Sequence, residues 1–329
     1  QYVRFYNITK CIFNNNRAMK TNSARTTKAS EETTNVEGFG GAIYFEAAYG
    51  NIEECEFNNN KANNGNDFLY NDNAQKEHDK NEVKINNNKF IRTEEETTKS
   101  SMIYIHIEAN SKFSFTNNEI TSTQNSNNAA LFENADGSTE GGTWTFSSNC
   151  ISSSDIKIYE STDLGKIIPS DSFIAYSSNP TNPTTKPTEI IQPSVSISPP
   201  SIITPTQEPQ PSGYCGSKPS GAVEMSTVET PKENTSYYSC NADITRRFGE
   251  EWCVFNIYHS TFKSIHSSTE NGGALYITNK NKGAKGNILI YESTFDDCEA
   301  KNGGAIYVKT SQYVRFYNIT KCIFNNNRA

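Results

Sequence analysis

The chain has 329 residues, 34% of them hydrophobic, and a formal net charge of −7. The acidic balance, with no basic stripe to neutralise phosphates, excludes nucleic-acid binding as an expectation. No apolar run approaches the ~20 residues needed to span a bilayer, and the abundance of Asn, Ser and Thr argues against one large compact core.

Taken in chain order, the first element repeats at the far end. Residues 1–18, QYVRFYNITKCIFNNNRA, recur without substitution as residues 312–329, a period of 311. The simplest expectation is a window cut from a tandem array, in which Ala329 leads on to Met19. Val3-Arg4-Phe5 starts a β-type run, and Cys11-Ile12-Phe13-Asn14-Asn15-Asn16 is a short strand closed by an Asn turn. Met19 to Val36 is polar and reads as an inserted loop. Gly40-Gly41-Ala42-Ile43-Tyr44-Phe45 follows, then Cys55-Glu56-Phe57-Asn58-Asn59-Asn60, a second copy of the strand and Asn turn. Degenerate copies of the Gly-Gly-Ala-Ile-Tyr strand follow at Asp67-Phe68-Leu69-Tyr70, Ser101-Met102-Ile103-Tyr104 and Ala129-Ala130-Leu131-Phe132. From Ser177 the composition shifts, and nine of the twelve prolines fall before residue 212. Residues 178–213 therefore read as a Pro/Thr/Ser-rich stalk or linker, extended or docked along the fold. Residues 214–251 read as an N-terminal cap and residues 252–329 as the start of the next repeat domain. This last stretch carries Gly272-Gly273-Ala274-Leu275, Ser293-Thr294-Phe295-Asp296-Asp297-Cys298 and Gly303-Gly304-Ala305-Ile306. On this division residues 1–177 are the C-terminal part of the preceding domain.

Read in the joined order, Phe262, Phe295, Phe324 (the copy of Phe13), Phe57, Phe90, Ile120 and Ile151 recur at 33, 29, 44, 33, 30 and 31 residues. A period near 30 signals a solenoid. Runs such as Ile288-Leu289-Ile290 and Val83-Lys84-Ile85 are strand-like, the segments between them are turn formers, and no sustained helical period appears. The expected fold is all-β: a parallel β-helix, with Phe, Ile and Tyr stacked inward and Asn stacked at the turns. Paired glycines suit a sharp bend before a strand.

The two motifs together resemble the chlamydial polymorphic outer-membrane protein repeat, in an Asn-rich version. Its Gly-Gly-Ala-Ile element matches residues 40–43 and 303–306, and 272–275 with Leu for Ile. Its Phe-x-x-Asn element matches Phe13/Asn16, Phe57/Asn60, Phe115/Asn118, Phe146/Asn149 and Phe324/Asn327. The resemblance covers residues 1–177 and 214–329 and implies a surface adhesin built on a right-handed β-helix. Phe262, Phe295 and Phe90 lack the Asn three residues on.

Eight cysteines are present, of which Cys322 copies Cys11, and no CxxC pair occurs. Together with the sequons at Asn7, Asn318 and Asn234 they favour an oxidising, secretory setting and a cell-surface or extracellular location. Cys215–Cys240 is the expected staple of the cap. Cys11 and Cys55, each two residues before a phasing Phe, are expected to point inward as neighbours, disulfide-bonded or as stacked thiols. Asp296-Asp297 is the one tempting carboxylate pair for glycosidase chemistry, but it stands where other copies have Asn-Asn. Glu94-Glu95-Glu96 reads as a solvated face. His78, His106, His259 and His266 share no ligand spacing, and His259 and His266 are expected to be exposed. No catalytic motif, cofactor or metal site is expected. The leading expectation is a structural or adhesive fibre whose partners are further copies of itself and host or matrix glycans or proteins. A carbohydrate-active lyase or glycosidase is one alternative. Another is a non-catalytic glycan-binding module with exposed aromatics such as Tyr6, Tyr44 or Trp144 in a row.

Overall fold

A computed structural model of the chain describes residues 5–18, 40–46, 49–62, 65–71, 82–93, 101–106, 112–122, 130–134, 142–152, 156–159, 162–175, 219–232, 234–239, 242–251, 255–279, 286–310 and 314–329. Among these, strands dominate, and the paired strands run parallel. One sheet has ten strands and a second has nine. The ten-stranded order runs from Thr143–Ser147 through Lys112–Thr116, Glu82–Asn86, Tyr49–Glu53 and Phe5–Thr9. It continues through Val314–Thr320, Gly286–Tyr291, Asn256–Tyr258 and Ser236–Tyr238 to Val223–Glu224. A third face holds two shorter sheets. One comprises Ile43–Glu46, Phe68–Asn71, Ile103–His106 and Phe132–Asn134, and the other Phe248–Glu251, Leu275–Asn279 and Ile306–Thr310. Successive passes of the chain thus form layers, each adding one strand to each long sheet.

Strand sequences alternate because one side of each faces the core. In Tyr49–Glu53, Glu82–Asn86 and Lys112–Thr116 the second and fourth residues are buried and the others are not. This period of two is what a sheet covered on one face requires. The phasing aromatics then stack. Phe262, Phe295, Phe324, Phe13, Phe57 and Phe90 form one column, with ring centroids 4.9–5.1 Å apart and planes within 8° of parallel. The spacing is that of neighbouring strands. Beyond Phe90 the column continues as Ile120 and Ile151. There the core is filled by Phe115, Phe132, Phe146 and Phe173 in edge-on and tilted contacts.

The duplicated segments, residues 5–18 and 316–329, lie against each other. Both are present, as adjacent layers. Phe5–Thr9 pairs residue for residue with Phe316–Thr320, and Ile12–Asn14 with Ile323–Asn325. Tyr6 stacks on Tyr317 at 4.4 Å, and the Asn7 amide donates to Asn318 Oδ1 at 3.3 Å. A layer stacks on its own copy because every column then meets the residue type it already contains.

The Gly-Gly-Ala element has two distinct glycines. The first, Gly40, Gly272 or Gly303, has φ of +59° to +71°. The second has no room for a side chain: a Cβ on Gly273 would lie 2.1 Å from Gly304 O, and one on Gly304 would lie 2.3 Å from Arg328 O. At one end of the stack a short helix, Thr162–Ile167, brings the buried Leu164 against the core, and Ile168 follows it inward. The helix is too short to show a sequence period. At the other end, within the expected cap, Val223–Glu224 and Ser236–Tyr238 are the last strands of the long sheet. The expected stalk and the Met19–Val36 insertion lie outside the described residues.

Phe57 is fully buried in the middle of the ring column. Phe57→Ala is expected to cost about 3–5 kcal/mol, measured as a fall in the urea midpoint without loss of the far-UV β signal in the absence of urea.

Candidate functional site

The feature that recurs in every layer is the corner between strands. At the first corner an inward apolar residue is followed two positions later by a residue with positive φ, and three positions later by a small buried one. The positive-φ residues are Lys10, Glu54, Asn87, Asn117, Ser148, His259, Glu292 and Lys321, all between 45° and 57°. The small residues are Cys11, Cys55, Asn88, Asn118, Asn149, Ser260, Ser293 and Cys322. At the second corner Phe13, Phe57, Phe262, Phe295 and Phe324 are the inward residues. Asn15, Asn59, Ser264, Asp297 and Asn326 take positive φ there. The third positions are Asn16, Asn60, Ile265, Cys298 and Asn327, all buried.

The buried corner residues are wired to one another. The Asn88 backbone N–H donates to Asn118 Oδ1 at 2.9 Å, and the Asn118 N–H to Asn149 Oδ1 at 3.0 Å. Each side-chain amide donates back to the inward residue of the preceding layer, Asn118 Nδ2 to Ile85 O and Asn149 Nδ2 to Phe115 O, both at 3.0 Å. The second corner repeats this. The N–H groups of Cys298, Asn327 and Asn16 donate to Oδ1 of Asn327, Asn16 and Asn60 at 3.0–3.1 Å. Asn60 Nδ2 donates to Phe13 O at 3.0 Å. In each case one N–H and one C=O that turn away from the strand ladder are satisfied by one side chain.

Cysteine fills the same role. The Cys322 N–H donates to Cys11 Sγ and the Cys11 N–H to Cys55 Sγ, each at 3.4 Å. The Cys55 N–H continues the column to Asn88 Oδ1 at 2.8 Å. The thiols of Cys11, Cys55 and Cys322 lie 3.4–3.5 Å from the carbonyls of Ile319, Ile8 and Ile290 in the layer before. They lie 3.3–3.4 Å from those of Thr9, Glu53 and Thr320 in their own, and either carbonyl takes the single S–H. Cys11 and Cys55 are therefore inward neighbours and are free thiols in this structure, as are Cys150, Cys298 and Cys322. Burial pushes the Cys11 and Cys55 thiols well up from their ordinary range and Cys298 up to about 12. Cys215 and Cys240, the expected cap pair, lie outside the described residues.

The two corners share one sequence signature, which sequence reading merged. Phe115/Asn118 and Phe146/Asn149 belong to the first corner; Phe13/Asn16, Phe57/Asn60 and Phe324/Asn327 belong to the second. Both satisfy the same local geometry.

At the corners charges also pair along the layers. Glu292 takes Lys321 at 2.8 Å and His259 at 3.1 Å, and the Lys321 bond holds its carboxyl below the usual range. His259 is half-buried in this contact rather than exposed as expected; His266 is exposed, 3.3 Å from Asp297. Asp297 also meets Arg328 at 2.9 Å, and Asp296 accepts from Asn325 at 2.9 Å. A shallow polar groove of about 600 Å³ lies here, lined by Asn15, Arg17, Lys263, Asp296, Asp297 and Arg328 among others. Asp297 occupies the positive-φ place of Asn15, Asn59 and Asn326. Among the described residues no group of His, Cys, Asp and Glu is placed to hold a metal. His78, Glu94, Glu95 and Glu96 lie outside them. Of the sequon asparagines, Asn7 and Asn318 stack half-buried on one sheet face, while Asn234 sits exposed in a turn with φ 52°. Tyr44 is exposed, whereas Tyr6 and Trp144 are half-buried and pack on Tyr317 and Phe146. Among the described residues no helix is long and apolar enough to cross a membrane.

Comparison with family models, with characterised proteins and with solved structures finds no match to this chain.

Because Cys already replaces Asn in the corner column, Asn118→Cys should cost clearly less than Asn118→Leu. Leu leaves the Asn88 N–H and the Ile85 carbonyl buried and unpaired, about 2–4 kcal/mol in all. Chemical denaturation of the two variants gives the order. The thiols of Cys11, Cys55 and Cys298 also set a pH dependence. Their pKa values are raised on folding, so the stability they contribute is complete below about pH 9 and is lost as pH rises towards 12. Urea midpoints across that window should fall, and peptide mapping after native alkylation at pH 8 should find Cys11, Cys55, Cys298 and Cys322 unmodified.

Proposed function

We propose that the parallel sheets are the walls of a right-handed parallel β-helix, and that the chain is a structural, adhesive unit of an extracellular fibre or surface layer built from tandem copies. The supporting observation is the stacking of residues 5–18 on residues 316–329, column on column, with no loss of strand pairing or corner bonds. A layer that stacks on its own copy can be extended without an inherent limit, which is what a fibre requires. The motif resemblance to chlamydial surface repeats points to the same use. In this reading residues 214–251 begin the stack, residues 178–213 lie in sequence between its two halves, and the unit has no catalytic role. Display in many copies would supply avidity for host or matrix glycans or proteins. The carboxylates that would have suggested a glycosidase are committed to turn geometry and ion pairs.

A glycan-binding reading has one observation of its own. On the third face Tyr276 and Tyr307 stack at 5.9 Å, with the Arg247 guanidinium 4.2 Å over the Tyr276 ring. Stacked tyrosines at the strand spacing are a platform on which sugar rings could lie.

Negative-stain electron microscopy of native material tests the fibre. Rod-shaped segments repeating along a filament are expected; isolated single particles at all concentrations would sink the reading.

A further inference from the structure

The described chain consists of two halves, residues 5–175 and 219–329, that meet at one place. There Phe5–Thr9 lies on Phe316–Thr320 and Ile12–Asn14 on Ile323–Asn325. Asn16 meets Asn327 through Oδ1, at 3.1 Å from its N–H and 3.0 Å from its amide. Cys11 meets Cys322, and Phe13 stacks on Phe324 at 4.9 Å. In sequence the two halves are joined through residues 176–218, whose flanks, Phe173–Ala175 and Val223–Glu224, are edge strands at opposite ends of the stack.

We propose that this junction also forms between chains, so that residues 219–329 of one copy stack on residues 5–175 of another. The partner is a second copy of this chain, and the inference rests on the layered β-helix reading. Every contact of the junction is kept when it forms in trans, because nothing in it depends on which chain supplies each side. The balance is then set by residues 176–218 and by concentration. Ten intervals separate the layers of Val223–Glu224 and Phe173–Ala175, and at about 4.8 Å each they put the stack ends about 48 Å apart. Residues 176–218 span that distance easily at up to about 3.5 Å per residue. With residues 178–213 removed, the remaining seven reach only about 28 Å and closure within one chain is impossible. Such a chain can complete its junction only with another copy, as a reciprocal pair or an open series.

Asn7 and Asn318 are half-exposed register partners across the junction. Neighbouring strand positions lie within disulfide reach. Full-length chains carrying Asn7→Cys alone and Asn318→Cys alone are refolded together and then oxidised, and the products are separated without reductant. A covalent heterodimer joined at the two substituted positions is expected, its share rising with protein concentration. The same pair lacking residues 178–213 should give heterodimer as the main product and, by light scattering, no monomer. Absence of the heterodimer from both pairs, in chains that keep a β-sheet circular dichroism spectrum, overturns the proposal. Loss of that spectrum would instead tell against the β-helix reading beneath it.

Discussion

The structure depends on how a buried corner is hydrogen-bonded. Along the strands each layer satisfies the next, but where the chain turns inward an N–H and a C=O leave the ladder. A buried amide group left unpaired costs about 1–3 kcal/mol, and this deficit would recur at the first corner of eight layers and the second corner of five. A side chain three residues after the inward apolar one removes it by accepting from one group and donating to the other. That requirement selects small residues with both a donor and an acceptor. It also sets the phase of the aromatic column, because the ring sits a fixed three positions before the corner.

Seen this way, the residues that sequence reading handled well and badly separate on physical grounds. The Phe column was legible because large apolar residues at a period near 30 have no other simple use. Gly-Gly-Ala was legible because at 40–41, 272–273 and 303–304 the first glycine has positive φ and the second has no room for a Cβ. The cysteines were legible in part: Cys11 and Cys55 are expected as inward neighbours, bonded or as stacked thiols, but not as corner hydrogen-bonding groups. In sequence a cysteine suggests a disulfide, whereas Cys11, Cys55, Cys298 and Cys322 act as compact substitutes for asparagine or serine. The first corner was also hidden, since Lys10, Glu54, His259 and Lys321 adopt a left-handed conformation that their residue types do not advertise. Asparagine tolerates it more readily, which is why the Asn-rich second corner was visible.

Exact repetition has an electrostatic cost. Layers of different sequence can set opposite charges side by side, as Glu292 does with Lys321. A layer stacked on its own copy must set like against like: Lys10 follows Lys321, and Arg17 bridges to Arg328. The flanking layers offset this, with Glu54 beside Lys10 at 3.6 Å and Asp297 beside Arg328 at 2.9 Å. These pairs are largely exposed and weak, so salt that screens the repulsion also screens the relief. The uncharged core and corner columns therefore carry the self-stacking.

The corner N–H bonds run the same way. Each N–H reaches forward to the side chain of the next layer, and the Asn side chains reach back to the carbonyl of the layer before, while Ser260 and Ser293 turn to Tyr258 and Tyr291 of their own layer. An assembly made of such layers has a direction. Its two tips differ chemically, one offering backbone groups that await a side chain and the other a side chain that awaits backbone groups. Two like tips cannot satisfy each other, so growth would be polar, with separate rates at the two ends and no point at which it could reverse.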